Sequence, residues 1–306
     1  MAISGEHHFG IARKIVSNMT SESWEQIPHA VMNYEPDVTE FMKECKKLND
    51  GNTDPSKKIT INTVMIKVIC EGLKQAPKLH AHLEFNRRLV RGCLKTFDHV
   101  DVSMPMILPN GEMMTINMHD MGSKTLTEMT EAINDAARKA KNTDLNEVMF
   151  EVSLDNTLNN LKHGKIAQTV NRLYGSKTGK HKVHTLKGNA KKEYYSIPET
   201  DRLTKHDIEQ GTITITNLGS IYRPYRGECC LLEIIPPQVA AIAINAAQKR
   251  PVVTKDADGK DQITIGMVMP MAIAMDHRAV DYGDMVPFFQ KLDEIFANPS
   301  VIHEWK

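Results

Sequence analysis

Apolar positions along the chain switch repeatedly between helical and strand spacing, and the switches predict a mixed α/β protein. Residues three and four apart mark a helix over 9–24 with Ile11, Ile15, Met19 and Trp24 on one side. A second helix runs to about Asn49, capped by Asp37 and Thr39, with Phe41, Cys45 and Leu48 turned inward. A third covers Asn62–Gln75 through Val64, Met65, Val68, Ile69 and Leu73, and stops before Pro77. A strongly amphipathic fourth covers Thr125–Lys141 through Leu126, Met129, Ile133 and Ala137. Between the third and fourth, short strands are expected at Leu79–Phe85, Arg88–Cys93, Val100–Leu108 and Met113–Met118. Pro109-Asn110-Gly111 turns the chain between the last two.

The C-terminal third has the clearest pattern. From Gln262 to Met275 the odd positions carry Ile263, Ile265, Met267, Met269, Met271, Ile273 and Met275, while Thr264, Gly266, Ala272 and Ala274 alternate with them. That spacing predicts one strand with a bulky buried face, entered by a hairpin turn at Asp256–Gly259. Met285, Phe288, Phe289, Leu292, Ile295 and Phe296 then predict a helix from about Asp284. His277 falls on the turn from strand to helix, where two rigid elements hold a side chain that still faces a cleft. Upstream, Gly211–Gly219 places Thr212, Thr214 and Thr216 on one strand face and Ile213 and Ile215 on the other. That face suits a polar cleft, although threonine is a good strand residue in any role. Ile234-Ile235-Pro236-Pro237-Gln238 reads as a rigid turn before a small-residue buried strand, Val239–Asn245.

Composition narrows the class. The 306 residues suit one large domain or two ordinary ones, and 38 basic residues balance 38 acidic ones, so overall charge points to neither nucleic acid nor an acidic membrane. No apolar run approaches the roughly 20 residues of a spanning helix. The segment up to Phe9 is polar and unlike a signal peptide, which makes the cytoplasm the expected compartment. The five cysteines lack metal-ligand spacing and read as reduced thiols. The 18 methionines fall mostly on element faces as flexible core filler.

One stretch departs from this pattern. Between Asn156 and Lys192 no acidic residue occurs, and nine basic ones do: Lys162, Lys165, Arg172, Lys177, Lys180, Lys182, Lys187, Lys191 and Lys192. Glu193–Glu209 is acidic on balance. The stretch is either a solvated insertion, about 142–210, whose halves pair electrostatically, or a basic patch for a phosphorylated cofactor or an acidic protein.

Four motifs in order carry a resemblance: Ile27-Pro28-His29, Thr214-Ile215-Thr216-Asn217-Leu218-Gly219, Pro236-Pro237-Gln238, and Asp276-His277-Arg278-Ala279-Val280-Asp281. Over residues 9–141 and 210–306 the chain resembles the catalytic domain of the dihydrolipoyl acyltransferases of 2-oxoacid dehydrogenase complexes. Chloramphenicol acetyltransferases share their fold. The resemblance implies a single catalytic domain over 1–306 with that α/β (α+β) fold, a mixed sheet flanked by helices, assembled as a homotrimer or larger. It assigns His277 as general base and Thr216, from a neighbouring subunit, as oxyanion donor. Asp281 then supports the active-site turn through a charged hydrogen bond to a basic residue. Tyr282 departs from the family, standing between Asp281 and Gly283 where relatives have Asp-Gly directly.

The chemistry agrees with those residue types. A thiol of pKa near 8.5 needs a base to become a nucleophile at neutral pH, and histidine is best matched to take and return that proton. A fixed hydroxyl stabilises the oxyanion of the tetrahedral intermediate. The chain carries neither a lipoyl domain nor a peripheral-subunit-binding domain, so the expected activity is transfer of an acyl group between coenzyme A and a dihydrolipoyl thiol on a separate protein. A small hydroxyl or amine acceptor, and a non-catalytic scaffold role, are the alternatives.

Overall fold

The computed structural model describes residues 3–107, 111, 113–162, 170, 174, 178, 182, 185–230 and 232–306, with the backbone alone over 154–162. Two compact units emerge from the contacts: residues 1–21, 106–117 and 135–210 form one, and 22–105, 118–134 and 211–306 the other. The main sheet has six strands in the order β1 (His29–Tyr34), β10 (Met271–Asp276), β7 (Ala240–Ile244), β6 (Ile213–Asn217), β4 (Val102–Ile107) and β5 (Met113–Met118). Antiparallel pairing joins β1 to β10 and β10 to β7, whereas β6 runs parallel to both β7 and β4, so the sheet is mixed.

β10 lies between two neighbours and every residue in it is buried, as is every residue of β7. Their contact layer is built on Ala240, Ala241, Ala243, Ala272 and Ala274, all fully buried. Small side chains on these strands leave room for covering elements. Ile27 and Ile234 pack on Ala241 and Ala274, and the helices α3 (Ile61–Gln75) and α9 (Tyr282–Ala297) pack against each other. The Thr60 hydroxyl caps α3 by accepting from Thr63 N–H at 3.2 Å, and Pro77 follows its end. Gly72 permits the crossing of α3 and α9, since a β-carbon there would stand 2.5 Å from Leu292 Cδ1 and 2.7 Å from Phe288 Cδ2. Phe41, Cys45 and Leu48 of the α2 segment (Thr39–Lys47 and its C-cap) are buried as its periodicity predicts. The residue preceding α2 is Val38, and Asp37 bonds the Thr39 amide at 2.9 Å instead of capping deeper in the helix.

The run from Gln262 to Met275 is two strands, a difference with a simple cause. Met269 and Pro270 break it into β9 (Asp261–Val268) and β10. β9 pairs along its length with β8 (Gln248–Lys255), making a separate two-stranded ribbon that opens at the expected turn, and its end bridges to Asp37 through Val268. Ile263 and Ile265 are 77% and 78% exposed on it and Met267 is half-buried, so the expected buried face holds only from Met269 onward. A second ribbon, β2 (His82–Asn86) with β3 (Arg91–Lys95), replaces the expected strands at Leu79–Phe85 and Arg88–Cys93, because Pro77–His80 coils into a 3-10 turn first.

In the smaller unit the described residues of the stretch 142–210 include the helices α5 (Leu145–Lys162), α6 (Gly188–Ser196) and α7 (Lys205–Ile208). Glu147 of α5 is fully buried and ties that helix to α6 and the segment before it, accepting from Leu186 N–H at 2.5 Å and from the Tyr195 hydroxyl at 3.1 Å. Lys191 approaches the same carboxylate at 3.9 Å. The side chains of Lys162, Lys165, Arg172, Lys177 and Lys180 lie outside the described residues, as do Pro109 and Asn110 of the expected turn.

Candidate active site

His277 follows the last residue of β10, and its amide donates to Pro28 O at 3.1 Å, bolting the turn to the start of β1. Its ring Nδ1 stands 3.2 Å from the carbonyl oxygen of Val280 and 3.3 Å from Asp281 Oδ1. Both neighbours are acceptors, so the proton belongs on Nδ1 and the lone pair on Nε2. The imidazole is exposed, and no other hydrogen bond occupies Nε2 among the described residues. This is the tautomer a general base needs.

The flanking residues hold that turn. Asp276 is buried and chelated by Arg278, whose Nε lies 3.0 Å and Nη2 2.7 Å from its two carboxylate oxygens. The same guanidinium sits over the Phe85 ring at 5.7 Å. Asp276 and Arg278 flank the base in the motif itself, which is the signal that marks them as positioning residues. Asp281 faces His277 and is 82% exposed; its recorded ion pair is with the histidine and not with a lysine or arginine. In the same turn Asp284 pairs with Lys78 at 2.8 Å, and Asp284 Oδ2 accepts from the Asp281 amide at 3.0 Å. Tyr282 begins α9, its ring 6.3 Å from that of Phe289; nothing in its backbone demands the family's glycine.

A cleft of about 660 Å³ opens beside this turn, lined by Trp24, Ile27, Pro28, Phe85, Arg87 and Arg278 among others. His29 is not part of the chemistry. Its Nε2 accepts from Ile234 N–H at 3.1 Å, joining β1 to the segment before Pro236, and its Nδ1 donates to Ile27 O at 2.9 Å, so both nitrogens are committed. Trp24 stacks on its ring at 5.2 Å.

Thr216 occupies the other end of the sheet. On its strand face, Thr212 exchanges hydrogen bonds with the Asp101 backbone and Thr214 donates to Gln238 Oε1 at 2.7 Å. Gln238 in turn donates to Gly211 O at 2.8 Å, so the Pro-Pro-Gln motif serves to anchor β6. Only Thr216 of the three has a hydroxyl without a hydrogen-bond partner among the described residues, which leaves it open to a ligand. Beyond it, Asn217 donates to Asn62 Oδ1 at 2.8 Å and caps a short helix, α8 (Leu218–Ile221). Gly219 lets that turn touch the end of β7, where a β-carbon would stand 2.8 Å from Ala246 Cα.

Strand register gives the separation. Thr216 is opposite Ala243, Ala243 is opposite Ala272, and His277 comes five residues after Ala272. At about 3.3 Å per residue and about 4.8 Å per strand, the two are about 19 Å apart in one chain. A single copy therefore presents them at different places.

The thiols are not competing nucleophiles in the core. Burial pushes Cys45 and Cys70 up to about 12, and all five cysteines are free. No cluster of three metal-ligating side chains occurs among the described residues, and no described helix is long and apolar enough to cross a membrane.

Known proteins match this arrangement. A family model described as 2-oxoacid dehydrogenases acyltransferase (catalytic domain) matches residues 5–162 and 185–304, and passes over 163–184. The dihydrolipoyllysine-residue acetyltransferase component of the pyruvate dehydrogenase complex of Rickettsia felis is 20% identical over 95% of this chain and 53% of its own length. Component 3 of the mitochondrial complex of Arabidopsis thaliana is 23% identical over 94% of this chain and 40% of its own. The chain thus spans about half the length of the curated relatives it matches or less. Among solved structures, the cubic core of a pyruvate dehydrogenase multienzyme complex superposes with a TM-score of 0.67 at 16% identity, covering 99% of this chain and 95% of that one. A probable dihydrolipoamide acetyltransferase from Listeria monocytogenes gives 0.68 at 18% identity, covering 98% and 97%. The fold is that of these acyltransferase cores, and the extent of the family match establishes that the chain belongs to the 2-oxoacid dehydrogenase acyltransferase family, through its catalytic domain.

Proposed function

We propose that the chain transfers an acyl group between coenzyme A and a dihydrolipoyl thiol held on a separate protein, with His277 as general base and Thr216 of an adjacent copy as oxyanion donor. The observation that carries this reading is the Nδ1 anchoring of His277 by Val280 and Asp281, which leaves Nε2 free. Nε2 takes the proton of the attacking thiol, and the thiolate adds to the thioester carbonyl. The oxygen that becomes negative accepts a hydrogen bond from the Thr216 hydroxyl. Collapse breaks the original carbon–sulfur bond, and the imidazolium returns its proton to the departing thiolate. The 19 Å gap within one chain supports a site completed by a second copy, as does the oligomeric nature of a core such as the cubic one to which the fold is similar. Asp281 steadies the ring without acting on substrate.

A thiol-release assay tests it, with acetyl-CoA and longer acyl-CoAs as donors and dihydrolipoamide as acceptor beside a panel of small alcohols and amines. Transfer to dihydrolipoamide that vanishes in His277→Ala is the expected result. Transfer only to an alcohol or amine replaces the acceptor, and no transfer to any of them favours a scaffold role.

A further inference from the structure

The tip of the β2–β3 ribbon reads Asn86-Arg87-Arg88-Leu89-Val90-Arg91. From Phe85 to Cys93 it bears three arginines and no acid, and every residue is exposed. None of the three guanidinium groups has a partner among the described residues. Two aliphatic side chains stand out between them, Leu89 at 61% and Val90 at 79% exposure. The tip is not loose: the Asn86 carboxamide accepts from the Arg88 and Leu89 amides, each at 3.1 Å. Its base is tied down where Leu83 N–H donates to Pro237 O at 2.8 Å. Val90 has φ of +50°, a strained setting for a β-branched residue that fixes where its side chain and those of its neighbours project.

Position gives the tip its meaning. Arg87, Val90 and Phe85 line the same cleft as Pro28, which accepts from the His277 amide, and Arg278, which chelates Asp276 beside it. A convex, rigid projection with three free arginines around two aliphatic residues suits a protein surface. A phosphate group would need a concave cradle.

Building on the acyl-transfer reading above, we propose that this arginine tip docks an acidic face of the protein that carries the acyl acceptor, presenting its thiol to the cleft beside His277. Arg88 and Arg91 attract the carrier and align it, and Leu89 and Val90 supply the dry contact at the centre.

The test uses the full chain, acetyl-CoA, and two acceptors: free dihydrolipoamide and a small reduced lipoyl-bearing protein of net negative charge. In the double variant Arg88→Glu/Arg91→Glu, KM for the carrier should rise about tenfold or more while KM for free dihydrolipoamide and for acetyl-CoA stays put. With wild type, kcat/KM for the carrier should fall as salt is raised, and the variant should lose that dependence. Arg88→Lys/Arg91→Lys should keep most of the effect of charge. Unchanged carrier kinetics would overturn the proposal, as would equal losses with both acceptors. A raised KM for acetyl-CoA alone would reassign the arginines to the phosphates of coenzyme A, and a changed oligomeric mass would make the tip a contact between copies. If wild type acylates neither acceptor, the acyl-transfer reading fails separately, and carrier binding to wild type and double variant by interferometry still decides the docking.

Discussion

Thr216 and His277 stand at opposite ends of one sheet, about 19 Å apart, because β10 runs antiparallel to β7 whereas β6 runs parallel to it. A base and an oxyanion donor acting on one carbonyl must both lie within hydrogen-bond reach of it. With His277 and Thr216 in the roles proposed above, each site would need two copies.

Complementation between dead variants checks this. His277→Ala should lower kcat by roughly two to four orders of magnitude. Thr216→Ala should cost roughly 2.7–4 kcal/mol, with Thr216→Ser close to wild type. When the two alanine variants are co-assembled in equal amounts, about a quarter of wild-type activity should return, since half the histidines survive and half of those meet an intact threonine. Failure to recover any activity in verified mixed oligomers would place both residues in one protomer's site.

Asp281→Asn should be mild beside His277→Ala. The carboxylate is largely solvated, and the Val280 carbonyl holds the same ring nitrogen. A loss of under about tenfold in kcat is expected, because an exposed pair of this kind contributes little. Steady-state kinetics at pH 7.5 measures it, and a loss equal to that of His277→Ala would make Asp281 indispensable to the base.

Acid should loosen the fold through His80. This histidine is buried, its Nδ1 has no partner among the described residues, and burial, aided by nearby His99, pushes its pKa down to about 4. The folded state therefore keeps it neutral where the unfolded chain would protonate it. Its contribution is complete above pH 6.5 and is lost as pH falls from there towards 4, about 3 kcal/mol in all. Urea midpoints at pH 7.5 and 5 for wild type and His80→Leu give the comparison: the drop should be smaller in the variant.

Gly219→Ala should damage both stability and turnover. The added β-carbon would meet backbone atoms, Ala246 Cα at 2.8 Å and Asn245 O at 3.2 Å, so the turn after Thr216 must move. A loss of about 1–3 kcal/mol in unfolding free energy is expected. An unperturbed urea midpoint would show that the turn has slack.

Periodicity located α3, α9 and the buried strand β7 within a residue or two, because each buries a regular face or is buried all round. It failed where a break is local. Pro270 divides an alternation that otherwise continues, and alternation alone does not say that nothing covers Ile263 and Ile265. Helices α5 to α7 were hidden because their stretch reads as charge and composition before it reads as a face. The motifs pointed to His277 and Thr216 themselves. Their distance was not legible, since it depends on which strands pair and in what register, and neither is written in local pattern. The partner of Asp281 was not legible either: in this chain its carboxylate faces His277, and Lys78 pairs with Asp284, one helical turn on.

Where the sheet joins its two ends, the alanines of β7 and β10 are fully buried, and Ile27 and Ile234 pack on Ala241 and Ala274. A larger residue at Ala241 or Ala274 would have nowhere local to expand, and the shift would run along the strands to the threonine end and the histidine end together. Change in what this protein accepts is therefore channelled into the edges, the Arg87–Val90 tip and the segment after Gly219. The middle of the sheet acts as a gauge block whose length evolution has to leave alone.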